Sequence, residues 1–308
     1  MATIAIPISA PATTPLNRNE TVRIGYTKWL AAYKTEKPYK ILSDLRTADH
    51  PDYSQTNVET EQGEPETVHD IRGREGDFHL DSHGFQAARH EWAMRDWFDV
   101  AAVDHEYLPE VKRLLRDQIP GIKDIHLYNW RIRRNVSYQE AGMDKVDIND
   151  KANHLLPVST AHIDSTPASA RLRVRREMRD RAEELLKGRI RIVNDLGSVW
   201  RPINHRVDDQ PLAVSDGSLV DKDDLLATDH VTRHHVGETY NVLYRDKYRW
   251  YYISHQEVDE VLLFKIYDSD TAVPARHCPH VSFRHSDVPK GTLPRESIEV
   301  RALIFSDN

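Results

Sequence analysis

RIRIVNDLGSVWRPI (189–203), PLAVSDGSLV (211–220), GETYNVLYR (237–245), YRWYYIS (248–254), EVLLFKIYDS (260–269), HVSFRH (280–285) and SIEVRALIF (297–305) decide the fold. These segments are rich in Val, Ile, Tyr and Trp, follow a period of two, and are split by Asp, Gly, Pro and Asn. Such a run of strand candidates predicts an antiparallel sandwich or barrel. A jelly roll is the commonest version that encloses a ligand cavity. Ahead of it, Tyr107 to Gln118 carries Leu108, Val111, Leu114 and Leu115 at helical spacing and stops at Pro120 and Gly121. Gln86 to Phe98 has roughly helical spacing too, and Ile125 to Ile132 alternates as a strand. Ala168 to Leu186 predicts a charged helix capped at Gly188. Residues 1–70 lack a periodic apolar pattern and are rich in Thr, Pro, Glu and Asp. They read as an extended N-terminal arm with a short helix near Thr27 to Tyr33, packed on the body. The expected class is α+β: residues 71–308 form one domain with a double-stranded β-helix (jelly-roll, cupin-like) core and flanking helices.

Composition narrows the function. Of 308 residues, 39% are hydrophobic and 30% charged, enough apolar content to exclude a wholly disordered chain. No apolar run approaches the ~18 residues of a membrane span. The first residues, MATIAIPISAPATTPL, lack the basic start of a signal peptide. With the single Cys278 this fits a reducing compartment, so the expected location is cytoplasmic. A net charge of −7 argues against a nucleic-acid partner. Seventeen histidines face one cysteine, so a bound metal would take imidazole and carboxylate ligands. A chain this long buries a core alone, so monomer and homodimer both remain open.

Three histidine groups compete. His79 and His83 sit at i, i+4, but Asp81 and Gly84 suggest a turn, and no Glu follows His79 as H-E-x-x-H requires. His230, His234 and His235 fall in the charged stretch TDHVTRHH, which reads as a solvated loop between strands. His162 and Asp164, in STAHIDSTP, occupy i and i+2 of a strand and share a face. They supply two ligands of a 2-His-1-carboxylate triad, which leaves metal positions open for substrate and oxygen. His280 opens a later strand as the third. Arg295 and Ser297 follow it, a guanidinium beside a hydroxyl that suits a carboxylate. H-x-D, distal His and R-x-S is the order found in iron and 2-oxoglutarate dependent oxygenases. Arg301 shares the predicted face and is an alternative carboxylate anchor.

The chain also resembles the AsaB-type fungal hydroxylase/desaturase family, which includes a gibberellin desaturase and is related to the CmcJ protein of cephamycin biosynthesis. The resemblance rests on DIRGREGDFHLDSHGF (70–85), AHIDST (161–166), NDLGSVWRPI (194–203), LLFKIYDSD (262–270), PHVSF (279–283) and PRESIEVRALIF (294–305), among other blocks in the same order. It implies a non-haem Fe(II) enzyme with 2-oxoglutarate and O2 as co-substrates. Such an enzyme hydroxylates, desaturates or cyclises small secondary-metabolite intermediates. Iron then falls to His162, Asp164 and His280, and the distal carboxylate of 2-oxoglutarate to Arg295 with Ser297. A metal enzyme without 2-oxoglutarate and a non-catalytic accessory protein are the rival readings. Arg201 is read as either structural or substrate-facing, and Trp250 and Tyr252 as core or pocket lining. Asp70, Arg72 and Glu75 read as a charged lid or a turn. A zinc site in HCPH (277–280) ranks below iron, because no other cysteine exists.

Overall fold

The computed structural model describes residues 18–42, 54–94, 96–143, 150–193, 199–232 and 236–307. One sheet has nine strands, numbered here in chain order and arranged as β1 (Glu20–Thr27), β3 (Thr60–Asp70), β12 (Trp250–Tyr252), β9 (Leu212–Ser215), β14 (His280–Ser282), β6 (His162–Ile163), β11 (Val236–Val242), β10 (Leu225–Val231) and β2 (Tyr39–Ile41). The other follows β4 (Phe85–Arg89), β13 (Glu260–Asp268), β7 (Arg189–Val193), β15 (Glu296–Ser306) and β5 (Ile122–Arg134). β8 (Val199–Pro202) shares with β7 the slot between β13 and β15. RIRIVNDLGSVWRPI is therefore two strands in one slot, and residues 194–198 lie outside the described residues. Pairing is mainly antiparallel; β10–β2 and β12–β3 are parallel.

β15 shows how the layers meet. All of its residues are buried, as a strand covered on both faces requires. Ile298, Val300, Ala302 and Ile304 join Val111, Leu114 and Leu115 of helix α1 (Leu108–Gln118). Those three helix residues follow the i, i+3, i+4 spacing of an inward stripe. Leu303 and Phe305 face the nine-stranded sheet, in a cluster with Ile163, Trp200 and Phe264. By alternation Ser297, Glu299 and Arg301 share that side. The interior is thus apolar at one end of β15 and polar at the other, and the polar end positions the site.

Helix α2 (Pro167–Met178) starts directly after the H-x-D segment. The Thr166 side chain accepts from the Ser169 N–H as its N-cap. It ends at Arg179, whose φ of 48° is left-handed, and a short helical turn resumes at Ala182–Leu185, so the predicted helix is split.

Two regions differ from the sequence expectation. Gln86 to Phe98 is not a helix among its described residues: Phe85–Arg89 pairs in register with β13, which outweighs the local spacing. Among its described residues, 18–42 and 54–70, the N-terminal segment is more sheet than arm. β1 and β3 form a ribbon whose many exposed positions left no apolar period to read. β1 then crosses back over the large sheet, with bridges Gly25–Thr160 and Thr27–Leu243. A Cβ at Gly25 would lie 2.5 Å from the Ser159 carbonyl oxygen, so only glycine permits that approach. Ile24, Tyr26, Val68, Trp250, Tyr252 and Phe283 fill the space beneath it.

Candidate metal centre

Sheet register brings the two distant histidines together. His280 on β14 lies directly opposite His162 on β6, and the ring centroids are 4.3 Å apart. Asp164 lies just past the end of β6. Its Oδ1 is 3.5 Å from His162 Nε2 and its Oδ2 is 3.1 Å from His280 Nε2. One ligand atom from each residue falls within 4.8 Å of the others, the only such His/Cys/Asp/Glu trio among the described residues.

Both tautomers follow from the hydrogen bonds. His162 Nδ1 is 2.8 Å from the Thr160 carbonyl oxygen and His280 Nδ1 3.2 Å from that of Cys278. A carbonyl only accepts, so each Nδ1 carries the proton and each Nε2 presents a lone pair to Asp164 and the space beside it. Burial and the neighbouring His280 hold the His162 pKa below its ordinary value, which favours the neutral ligand form. Burial alone would raise Asp164, but positive charge at the two Nε2 positions, His280 first, outweighs it and holds the carboxyl below the usual range, so this point is matched to a cation. Asp164 is 2% exposed, yet both of its oxygens and His280 Nε2 have no hydrogen-bond partner. Buried polar atoms without partners are costly. Three of them converging on one point fit a divalent cation in a carboxylate–imidazole donor set.

A cavity runs from the histidines to Arg295. Leu212, Trp200 and Phe264 form apolar walls, while Arg133, Glu299, Ser282 and Arg295 supply polar ones. Arg295 is 1% exposed. Its Nη1 donates to the Gln210 carbonyl and to Ser282 Oγ, both at 2.9 Å, and the guanidinium lies 5.5 Å from the Trp200 ring. Nε has no partner. Burial, and then the charge of Arg133, pull the guanidinium down to about 9. A cation this desolvated, with no carboxylate in salt-bridge contact among the described residues, has the chemistry to suit an anion. Ser297 Oγ is likewise buried without a partner. Arg301 shares the strand face but does not line the cavity with the triad.

Known proteins resemble this chain over most of its length. A family model described as an oxidoreductase/YMDC permease-like domain matches residues 24–305. The Fe(II)/2-oxoglutarate-dependent dioxygenase nvfI of Aspergillus novofumigatus is 33% identical over 247 residues, covering 77% of this chain and 81% of that protein. The hydroxylase/desaturase efuI of Hormonema carpetanum is 33% identical over 255 residues, covering 79% and 83%. The chain belongs to the fungal hydroxylase/desaturase family. A solved structure of the iron and alpha-ketoglutarate-dependent endoperoxidase NvfI superposes with a TM-score of 0.78 at 27% identity, covering 96% of this chain and 100% of that one. No helix among the described residues is long and apolar enough to cross a membrane, whatever the permease-like label suggests.

Within this hydroxylase/desaturase chain, three expected pocket residues lie elsewhere. Arg201 pairs across from Ile298, on the face of the six-stranded sheet that meets α1. Its guanidinium stacks on Trp92, Trp97 and Tyr107 at 4.8, 4.7 and 5.9 Å, and Nε donates to the Val258 carbonyl. Trp250 and Tyr252 point away from the triad into the cluster under β1, where Trp250 Nε1 donates to Tyr26 Oη at 2.9 Å. Tyr251, between them, faces Phe78 and Phe85 instead. Alternation explains the miss: the identity of the inner face cannot be told from three adjacent aromatics. Replacing Trp250 with Ala should therefore cost about 3–5 kcal/mol in chemical denaturation. Arg201→Met should cost about 2 kcal/mol by loss of its stacking. Both variants should keep co-substrate affinity within about twofold of wild type.

Other residues resolve simply. Arg72 Nη1 pairs with Glu260 Oε1 at 2.8 Å, so the DIRGRE segment is a tied turn. Cys278 is buried, its Sγ 3.4 Å from the Ser215 carbonyl, and belongs to no metal cluster among the described residues. His79 caps and His83 ends a single helical turn, and the pair belongs to no metal cluster among the described residues. His230 is not in a loop: it lies on β10, where burial and then Lys40 push its pKa down to about 4. His234 and His235 lie outside the described residues. Sequence reasoning missed the Arg133–Glu299 pair, at 2.8 Å in the cavity wall, and Asn241, directly opposite His162. Polar residues inside otherwise apolar strands were the available signal.

Proposed function

We propose that this chain is an Fe(II)/2-oxoglutarate-dependent oxygenase on a double-stranded β-helix. In this reading His162, Asp164 and His280 hold the iron, and Arg295 with Ser297 receives the distal carboxylate of 2-oxoglutarate. The observation that carries it is the convergence of three buried, partnerless ligand atoms beside a buried arginine with no carboxylate partner. When bound, iron and 2-oxoglutarate supply oxygen-dependent oxidation coupled to decarboxylation of the keto acid to succinate. The protein's own contribution is placement. Backbone carbonyls of Thr160 and Cys278 fix the imidazole tautomers. Gln210, Ser282 and Trp200 fix Arg295 so that its remaining donors face the cavity. Leu212, Trp200 and Phe264 keep bulk water off the reacting centre, which strengthens each polar contact there.

The substrate is a small secondary-metabolite intermediate that is hydroxylated, desaturated or oxidatively cyclised. Support comes from the relatives, which carry dioxygenase and hydroxylase/desaturase names. Incubation of the purified protein with Fe(II), 2-oxoglutarate, O2 and candidate intermediates should release succinate in step with a substrate mass change. Turnover that is independent of 2-oxoglutarate would overturn the co-substrate assignment.

A further inference from the structure

We propose that Asn241 is a co-substrate contact: its side-chain amide donates to the carboxylate that 2-oxoglutarate presents to the metal. The inference rests on the iron and 2-oxoglutarate reading above. Asn241 on β11 lies directly opposite His162, which lies directly opposite His280. Residues directly opposite in antiparallel strands share a face, so the three form one row on the face that bears the triad. Asn241 is 1% exposed, and its Nδ2 has no hydrogen-bond partner. The same-face neighbour Thr239 does not satisfy it, because its hydroxyl sits 3.3 Å from His230 Nε2.

A buried amide donor beside a metal site calls for an oxygen acceptor. The acceptor that the chemistry supplies on that side is a carboxylate oxygen of the chelating keto acid. A neutral amide suits the position, since a lysine or arginine there would repel the cation. The rival acceptor within the chain is Asp164, whose two oxygens are also without hydrogen-bond partners. In that case Asn241 would act on the metal through its ligand, and iron affinity would change instead.

Anaerobic titration of the Fe(II) protein with 2-oxoglutarate, followed by its visible charge-transfer absorption, separates these cases. Iron affinity is measured in parallel without co-substrate. Asn241→Leu should weaken 2-oxoglutarate binding about tenfold, or about 1.4 kcal/mol, and shift the band, with iron affinity within about twofold. Asn241→Asp should weaken it further by charge repulsion. Asn241→Gln, which keeps the donor, should recover part of the affinity and serves if the leucine variant does not fold. Unchanged 2-oxoglutarate affinity and an unshifted band in the Leu or Asp variant would overturn the proposal. So would a loss confined to iron affinity, which would assign the amide to Asp164. A wild-type protein that binds iron but shows no band would sink the co-substrate reading, and this inference with it; a normal wild-type band isolates any failure to Asn241.

Discussion

Asp164→Ala should lower product formation by at least about 1,000-fold and abolish the stabilisation that Fe(II) gives the wild-type protein. Loss of a residue that only orients a ligand already costs about 10- to 100-fold in affinity or activity, and removal of a direct ligand exceeds that. The stability half of the prediction follows from burial. Asp164 is 2% exposed and one of its oxygens converges with the two imidazoles on a single point, so stabilisation of the fold by the ion passes through it. Wild type should gain about 2.7 kcal/mol when free Fe(II) reaches about 100 times its Kd, because the ion binds only the folded state. The variant should gain nothing. Denaturation with and without Fe(II), alongside turnover, checks both halves. A variant that loses activity but still responds fully to iron would remove Asp164 from the ligand set.

Arg295→Leu should raise the 2-oxoglutarate concentration required for half-maximal turnover about 100-fold, whereas Arg301→Leu should stay within about threefold. Truncating one partner of a desolvated ion pair costs roughly 2–5 kcal/mol, and about 100-fold lies inside that range. The loss should appear in KM more than in kcat, because the distal carboxylate is bound equally before and during reaction. Saturating co-substrate should therefore restore most turnover to Arg295→Leu. The contrast with Arg301 comes from position on one strand: Arg295 lines the cavity beside His162 and His280, and Arg301 lies farther along β15, opposite Asn129. If the two variants behave the other way round, the carboxylate anchor is Arg301.

Much of this was legible from residue order. Each of the seven period-two segments after Arg189 contains a strand, although Gly217–Leu219 in the second forms a short 3-10 turn, and His162, His280 and Arg295 line one cavity. What stayed hidden depends on pairing partners. Whether Trp250, Tyr251 or Tyr252 faces inward depends on register against β3 and β9, which no local pattern encodes. Phe85–Arg89 is a strand because β13 offers it an edge, although its apolar spacing suits a helix. Arg201 reads as a polar intrusion into a strand, and only the folded layer shows that Trp92, Trp97 and Tyr107 surround it. Asn241 looked ordinary in GETYNVLY until β6 was laid beside it. The H-x-D spacing put a histidine and an acid on one face, but the antiparallel pairing of β6 with β14 supplied the second histidine.

The most direct test is a crystal structure grown anaerobically with Fe(II) and 2-oxoglutarate, with anomalous scattering used to locate the metal. One peak is predicted within about 2.2 Å of His162 Nε2, His280 Nε2 and an Asp164 oxygen, with the distal carboxylate of the keto acid against Arg295. A metal bound elsewhere, or a keto acid whose far end rests on Arg301, would contradict the account.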